Sequence, residues 1–229
     1  MKKVALGLLA ALAFSANAEV ISAFEFDGNA QDKFGNGSIT IGEGSFVDGQ
    51  YEFSAGQGIT LNWENEWDKQ NYALEIGFTA LSQLFWSSLI SFDYASDTGI
   101  YTSNGLIKYY SGTGTGHNLS LENNYQHQLV LKVEDGVGNL FLNGKLALSN
   151  IVNNYASPKG GYINIFKDNS SENLSGKVDY IRVHDDAEGV MLNYSPSFDA
   201  SYASSVPLTT SISLMCLGLL GLRRKVSGK

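Results

Sequence analysis

The chain has 229 residues, a formal net charge of −8 and a single cysteine. All 23 acidic residues fall within 19–205, against nine of the 15 basic ones, so that stretch carries −14. Such a surface excludes nucleic acid, whose phosphates demand positive charge, and one cysteine excludes an intrachain disulfide.

The chain starts as a signal peptide does. Lys2 and Lys3 give a positive start, residues 4–14 are apolar, and "ANA" at 16–18 is a small-x-small cleavage site. Residues 1–18 are therefore expected to be removed after Ala18, leaving Glu19 as the mature N-terminus. From there to 187 the pattern is that of one all-β domain. Strands are predicted at 20–26, 37–42, 57–62, 72–79, 84–92, 161–167 and 176–186. Two-residue turns at Asp48-Gly49, Asn104-Gly105 and Asn143-Gly144 each join a pair of strands, because these dipeptides accept the positive φ of a type I′ hairpin. A slightly longer turn is expected at Asp135-Gly136. "WENEWDKQ" at 63–70 is read as a single helical turn. "ALEIGFTAL" alternates, with Leu74, Ile76 and Phe78 on one face. About a dozen short strands joined by hairpins predict two packed antiparallel sheets. The 24 Phe and Tyr residues are enough aromatic surface to fill the space between them.

"GKVDYIRVHDD", at 176–186, raises a specific question. Simple alternation puts Lys177, Asp179, Ile181 and Val183 on one face, and Val178, Tyr180, Arg182 and His184 on the other. A carboxylate beside two β-branched apolar residues needs a partner. Candidates are Lys177, a lysine on an adjacent strand, a solvated sheet edge, or a cation.

After 187 the strand pattern stops, and 188–205 reads as a linker. Residues 200–222 carry no charge, long enough to span a bilayer core, and "RRK" follows at 223–225. Cys216 is an apolar residue of this tail. Residues 206–229 resemble the PEP-CTERM sorting signals of exported Gram-negative proteins. Val206-Pro207 matches the start of that motif, with Leu208 where its acidic residue belongs. "LGLLGL" and the basic end at Arg223 and Arg224 match the rest. The resemblance implies export from a Gram-negative bacterium to the cell envelope, outer surface or extracellular matrix. It further implies passage of 206–222 through the membrane, at least transiently, and handling by export and C-terminal sorting machinery. A plain tail anchor is the alternative.

The order of motifs from "FEFDGNAQDKFGNG" (24–37) through "YQHQLVLKVEDGVGNLFLNGKLA" (125–147) to "GYINIFKDNSSENLSGKVDYIRVHDDA" (161–187) resembles a laminin-G-like domain of the concanavalin A-like lectin/glucanase superfamily. That implies a two-sheet antiparallel jelly-roll sandwich over 19–187, often with carbohydrate on its concave sheet. "VDYIRV" resembles the closing strand of the superfamily's bacterial endo-glucanases. The aspartate at the position of Asp179 there holds a structural calcium, completed by carbonyls that would here come from near Phe24 and Gly49. His127 resembles a structural hydrogen-bonding histidine of laminin-G-like domains.

The glucanases' run of alternating carboxylates on one strand is absent. Strand 84–93 has no acid before Asp93. Glu75 stands alone on its strand, and the nearest acids, Glu64, Glu66 and Asp68, alternate in the segment before it, so a divergent hydrolase would draw on this region. The three histidines have no metal-ligand spacing. Oxygen-rich loops at 91–99, with Asp93 and Asp97, and at 167–173, with Asp168 and Glu172, are separate candidates for rim calcium. For stacking on a sugar ring, Trp63, Trp67, Tyr109 and Tyr110 are the candidates, and Trp86 is assigned to the core. The expected function is a non-enzymatic, lectin-like module for a polysaccharide or surface glycan. A structural or protein-adhesive matrix component and a divergent glycoside hydrolase are the alternatives; exposure of Trp63 and Trp67 would separate the first two.

Overall fold

The computed structural model describes residues 18–64, 67–93, 97–110, 114–152, 161–169, 172–188, 190 and 192. The predicted signal peptide up to residue 17, Glu66, and the tail with Val206, Pro207, Arg223 and Arg224 lie outside the described residues. No helix among the described residues is long and apolar enough to cross a membrane.

The strands are β1 (Val20–Phe24), β2 (Ser38–Ile41), β3 (Ser45–Val47), β4 (Gln50–Phe53), β5 (Ile59–Asn62), β6 (Tyr72–Ser82), β7 (Trp86–Asp93) and β8 (Thr98–Ser103). They continue with β9 (Leu106–Tyr110), β10 (Thr115–Gly116), β11 (Gln126–Glu134), β12 (Val137–Leu142), β13 (Lys145–Val152), β14 (Tyr162–Ile165) and β15 (Ser175–His184). One sheet has the order β10-β13-β12-β11-β6-β15-β4-β3, with β1 also on β15; the other runs β2-β5-β14-β7-β8-β9. Every pairing is antiparallel. The two sheets form a jelly-roll sandwich, and one core draws Leu74, Ile76 and Phe78 from the first sheet and Leu61, Phe92, Ile100 and Ile163 from the second.

The turn chemistry works as the sequence predicts. Asp48-Gly49, Asn104-Gly105 and Asn143-Gly144 all have positive φ at both residues. Asp135-Gly136 does too, and Glu134 pairs directly with Val137, so this turn is two residues long rather than longer. At 63–70, where a helical turn is predicted, no described residue is helical, and Trp67 N–H donates to the Glu64 carbonyl at 3.1 Å.

β15 departs from simple alternation. Val178 pairs with Phe78 and Tyr180 with Gly77, so Asp179 is the extra residue of a β-bulge. The slip turns Val178, Ile181 and Val183 all into the core. Tyr180, Arg182 and His184 lie on the outer face, where each meets Glu75. Gly77 is what admits Tyr180: a Cβ there would fall 2.3 Å from the tyrosine ring.

The loop after β1 is organised by one carboxylate. Asp32 accepts hydrogen bonds from the N–H groups of Ala23 (2.7 Å), Phe34 (3.2 Å), Asn36 (2.8 Å) and Gly37 (2.7 Å). Removing it leaves four donors to find other partners. Asp32→Ala is expected to cost roughly 2 kcal/mol or more, lowering Tm by ~4–8 °C in a domain of this size. A thermal melt checks this.

Folded contacts continue past 187. Val190 is buried against Ala73 and Val130 on the outer face of the nine-stranded sheet, with Ala18 and Leu192 packed beside it. Ala18 N–H donates to the Glu188 carbonyl at 3.1 Å, and Glu19 N–H to Asp185 Oδ1 at 2.8 Å. The predicted cleavage position thus lies beside the stretch that leaves β15.

Candidate functional site

On the six-stranded sheet, inward and outward residues separate cleanly. Phe92, Ile100 and Ile107 point into the core. Tyr101 and Tyr110 alternate to the opposite face, and Trp86 joins them because a β-bulge between Ser88 and Ile90 switches the alternation of β7. Their rings meet edge to face: Trp86–Tyr101 at 6.4 Å, Trp86–Tyr110 at 5.6 Å and Tyr101–Tyr110 at 6.1 Å between centroids. Tyr101 is buried at the base, Trp86 is half-buried and Tyr110 is 48% exposed. With Glu172 they line a hollow of about 220 Å³.

Beside these rings three carboxylates converge. Oxygens of Asp97, just before β8, and of Asp168 and Glu172, in the β14–β15 connection, all lie within 4.8 Å of one another. Tyr101 O–H donates to Asp168 Oδ2 at 2.6 Å, so the aromatic and acidic halves are joined. Asn169 ties the two loops, donating from its backbone to Asp168 Oδ1 (2.7 Å) and from its side chain to Asp97 Oδ1 (2.8 Å). Ser88 N–H donates to the Glu172 carbonyl at 2.7 Å, fixing the connection against β7. Among the described residues no Lys, Arg or His makes an ion pair with the trio. Burial, then the charges of Asp97 and Asp168, push the Glu172 carboxyl up. Burial and the neighbouring Asp168 push the Tyr101 phenol far up, so it stays a donor. Ser88, the cross-strand neighbour of Tyr101, is fully buried, and its hydroxyl has no partner among the described residues.

This site differs from the predicted one in its aromatic members. Trp63 and Trp67 are 5% and 7% exposed and belong to the core, packed edge to face at 5.3 Å. The polar residues between them in "WENEWDK" conceal two inward side chains, so neither ring offers a face to a ligand, and their burial counts against a glycan site built on these two rings and for the structural alternative. Trp86, assigned to the core, is at the surface site instead. Of the adjacent pair, Tyr109 turns inward against the core and Tyr110 outward. Asp97 is in the carboxylate trio; Asp93, at the end of β7 and paired with Thr98, is not. The two oxygen-rich loops, separate in sequence, form one cluster.

The region around Asp179 lies on the other sheet. Its partner is the Gln50 side chain; burial raises its pKa, the Gln50 hydrogen bond opposes this, and the Glu25 charge adds to the rise. Asp27 also contributes to that rise and stands beside Gly49, where a Cβ would lie 3.1 Å from Asp27 Oδ1. Phe24 pairs with Ile181 two residues along β15. Asp27 therefore joins the predicted group of Asp179, Gly49 and Phe24. It was not singled out because its segment, "FEFDGN", reads as a strand end.

The described acids of 64–75, Glu64, Asp68 and Glu75, do not converge, and Glu66 lies outside the described residues. Glu75 is buried on the central strand of the nine-stranded sheet. It accepts from Gln128 Nε2 (2.7 Å) and Tyr180 O–H (2.9 Å) and lies 3.3 Å from His184 Nε2 and 4.0 Å from Arg182 Nη1. Burial pushes its carboxyl up, but His184, Arg182 and Gln128 together outweigh this and hold it below the usual range. Glu64 accepts from Ser38 O–H, and Asp68 accepts from the Gln70 backbone and the Asn71 side chain. His127 is the structural residue the sequence suggested, bonded to the Glu122 carbonyl at 2.9 Å and to Asn143 Nδ2 at 3.0 Å. Burial depresses its pKa, which suits the neutral ring.

No protein-family model and no curated protein matches the chain. Among solved structures it is similar to the Trypanosoma rangeli sialidase in complex with the inhibitor DANA, at 13% identity and a TM-score of 0.59, over 80% of this chain and 33% of that one. The chain thus spans about a third of the sialidase's length. It is also similar to domain 4 of AbnA, a GH43 extracellular arabinanase from Geobacillus stearothermophilus solved in complex with arabinotriose. There the identity is 17%, the TM-score 0.54, and the match covers 79% of this chain and 96% of the domain. A third similar structure is the HCR/D W1238A mutant, at 16% identity and a TM-score of 0.54, over 76% of this chain and 51% of that one. At such identities the likeness is one of fold, and it identifies the chain as a two-sheet all-β sandwich.

Proposed function

We propose that residues 19–187 form a laminin-G-like, lectin-type module that binds a polysaccharide or surface glycan without hydrolysing it. The site is the outer face of the six-stranded sheet at Trp86, Tyr101 and Tyr110. The observation that carries this reading is an aromatic cluster joined by a hydrogen bond to three carboxylates that have no counter-cation among the described residues. Aromatic rings offer apolar faces to the C–H faces of a sugar, and the carboxylates accept from its hydroxyls or hold a cation that does. The fold shared with an arabinanase domain bound to arabinotriose supports it. The signal-like start and sorting-like tail support export to the envelope, outer surface or matrix of a Gram-negative bacterium.

Calcium is part of the proposal. The oxygen-only trio of Asp97, Asp168 and Glu172 suits a hard cation with ~6–8 oxygen ligands, and the Ser88 hydroxyl, without a partner among the described residues, lies on the same face as its cross-strand neighbour Tyr101. A second, structural calcium is proposed at Asp179, with Asp27 and carbonyls near Phe24 and Gly49.

Binding to insoluble polysaccharides, measured with calcium and with a chelator, tests the reading. Binding that requires calcium and is lost in Asp168→Asn supports it; no binding to any polysaccharide in either condition contradicts it. Release of reducing sugar that disappears in Glu172→Gln would instead assign hydrolysis, because a carboxyl with a raised pKa is suited to act as a general acid.

The structural calcium has its own test. A buried acid with a raised pKa stabilises the fold below the pKa of the unfolded chain, and that contribution is lost as pH rises through the folded value. At neutral pH in chelator, Asp179→Asn is therefore expected to raise Tm. Calcium should raise the Tm of the unaltered protein by more than that of Asp179→Asn, which keeps only the site at Asp97, Asp168 and Glu172. Equal calcium shifts in both proteins would remove Asp179 from the ligand set.

A further inference from the structure

We propose that the ligand is a neutral, linear glycan chain that continues from the Trp86–Tyr110 hollow across Phe85 into a second hollow; this rests on the glycan reading above. The second hollow, about 440 Å³, lies where the β6–β7 connection, the β8–β9 turn and the stretch before β11 meet. Its walls include Gln83, Leu84, Phe85, Asn104 and Asn123. None of the described residues that line it is charged, so they offer no complement to a uronic acid or a charged peptide. Amides bond hydroxyls as both donors and acceptors. The amide wall is held in place, since Gln83 Nε2 donates to Asn123 Oδ1 at 2.7 Å and to the Leu121 carbonyl at 3.1 Å.

Phe85 and Leu84 are 63% and 51% exposed, consecutive large apolar side chains on the rim. Exposed apolar residues that cluster beside a polar hollow mark a binding surface better than scattered ones do. The Phe85 ring meets Trp86 edge to face at 6.2 Å, and Trp86 lines the first hollow. The two hollows therefore share one aromatic step. A single sugar would fill one of them; a chain would use both, alternating apolar ring faces with hydroxyl-binding amides and carboxylates.

The experiment is a calorimetric titration of the full-length protein with cello- and arabino-oligosaccharides, from disaccharide to hexasaccharide, in calcium. The unaltered protein is expected to gain about tenfold or more in affinity with length, the effect of ~1.4 kcal/mol. Phe85→Ala and Asn123→Ala should flatten that gain and keep disaccharide affinity, whereas Trp86→Ala should lose binding at every length. Phe85 is exposed, so its removal leaves the core intact. If both Phe85→Ala and Asn123→Ala keep the full length dependence while Trp86→Ala loses binding, the second hollow is overturned and the first stands. Tighter binding of oligogalacturonates than of the neutral chains would overturn neutrality. If the unaltered protein binds no oligosaccharide, the glycan reading falls, and this inference with it.

Discussion

Replacing Trp86 by alanine is expected to weaken glycan binding by about a hundredfold or more while lowering the melting temperature much less than removal of a core tryptophan does. The size follows from what the ring does. It touches both Tyr101 and Tyr110, so its loss removes its own stacking surface and unseats Tyr110, the most exposed member. A central aromatic anchor commonly costs ~2 kcal/mol or more of binding when truncated, and the displacement of Tyr110 adds to that loss. The smaller effect on stability follows from position. Trp86 lies on the outer face, outside the core cluster that holds Trp63 and Trp67. Trp63→Ala is the contrasting control: it should destabilise the fold by roughly 3–5 kcal/mol with little effect on affinity per folded molecule. Affinity from titration and Tm from the same samples separate the two roles.

Glu75→Ala is expected to be the most destabilising polar substitution, at roughly 3–5 kcal/mol, the range for breaking a buried charged pair. The loss strands several groups at once. Gln128 Nε2 and Tyr180 O–H lose their acceptor, His184 loses its partner, and Arg182 keeps only the Glu25 carboxylate, which it holds at 3.1 and 3.2 Å. Arg182 also sits 4.1 Å over the Tyr180 ring, so disorder at Glu75 spreads across β6, β11 and β15 together. A shift of roughly 6–20 °C in Tm corresponds to that loss in a domain of this size. The same carboxyl sets an acid limit. Its folded pKa is depressed, so its stabilisation is present above the ordinary carboxylate pKa and is lost as pH falls through the lower, folded value. Acid unfolding followed in the unaltered protein and in Glu75→Gln checks this: the variant should show a shallower loss in that window.

Much of the fold was legible because its signals are local. Asn-Gly and Asp-Gly turns specify hairpins through backbone sterics alone, and each predicted one is present. The alternation of Leu74, Ile76 and Phe78 gave the buried face of β6 correctly. β15 defeated the same logic, because the bulge at Asp179 is set by how Tyr180 seats over Gly77 on the neighbouring strand. The burial of the tryptophans departs from expectation for a related reason. Polarity of the flanking residues decided between Trp63, Trp67 and Trp86, yet exposure is decided by which face of which strand each ring takes. The acidic loops at 91–99 and 167–173 were both picked out. Their union needed the topology: β14 pairs with β7, and β7 with β8, which brings the β14–β15 connection beside Asp97.

The central claim is that ligand meets the outer face of the six-stranded sheet at Trp86. The chain has three tryptophans, two of them in the core, so their emission reports on the site almost by itself. The measurement is the change in tryptophan fluorescence as a bound oligosaccharide is titrated into the unaltered protein, Trp86→Phe and Trp63→Phe. A ligand-induced change that persists in Trp63→Phe and disappears in Trp86→Phe is the predicted result. A change that survives in Trp86→Phe would put the ligand elsewhere on the molecule and contradict the assignment.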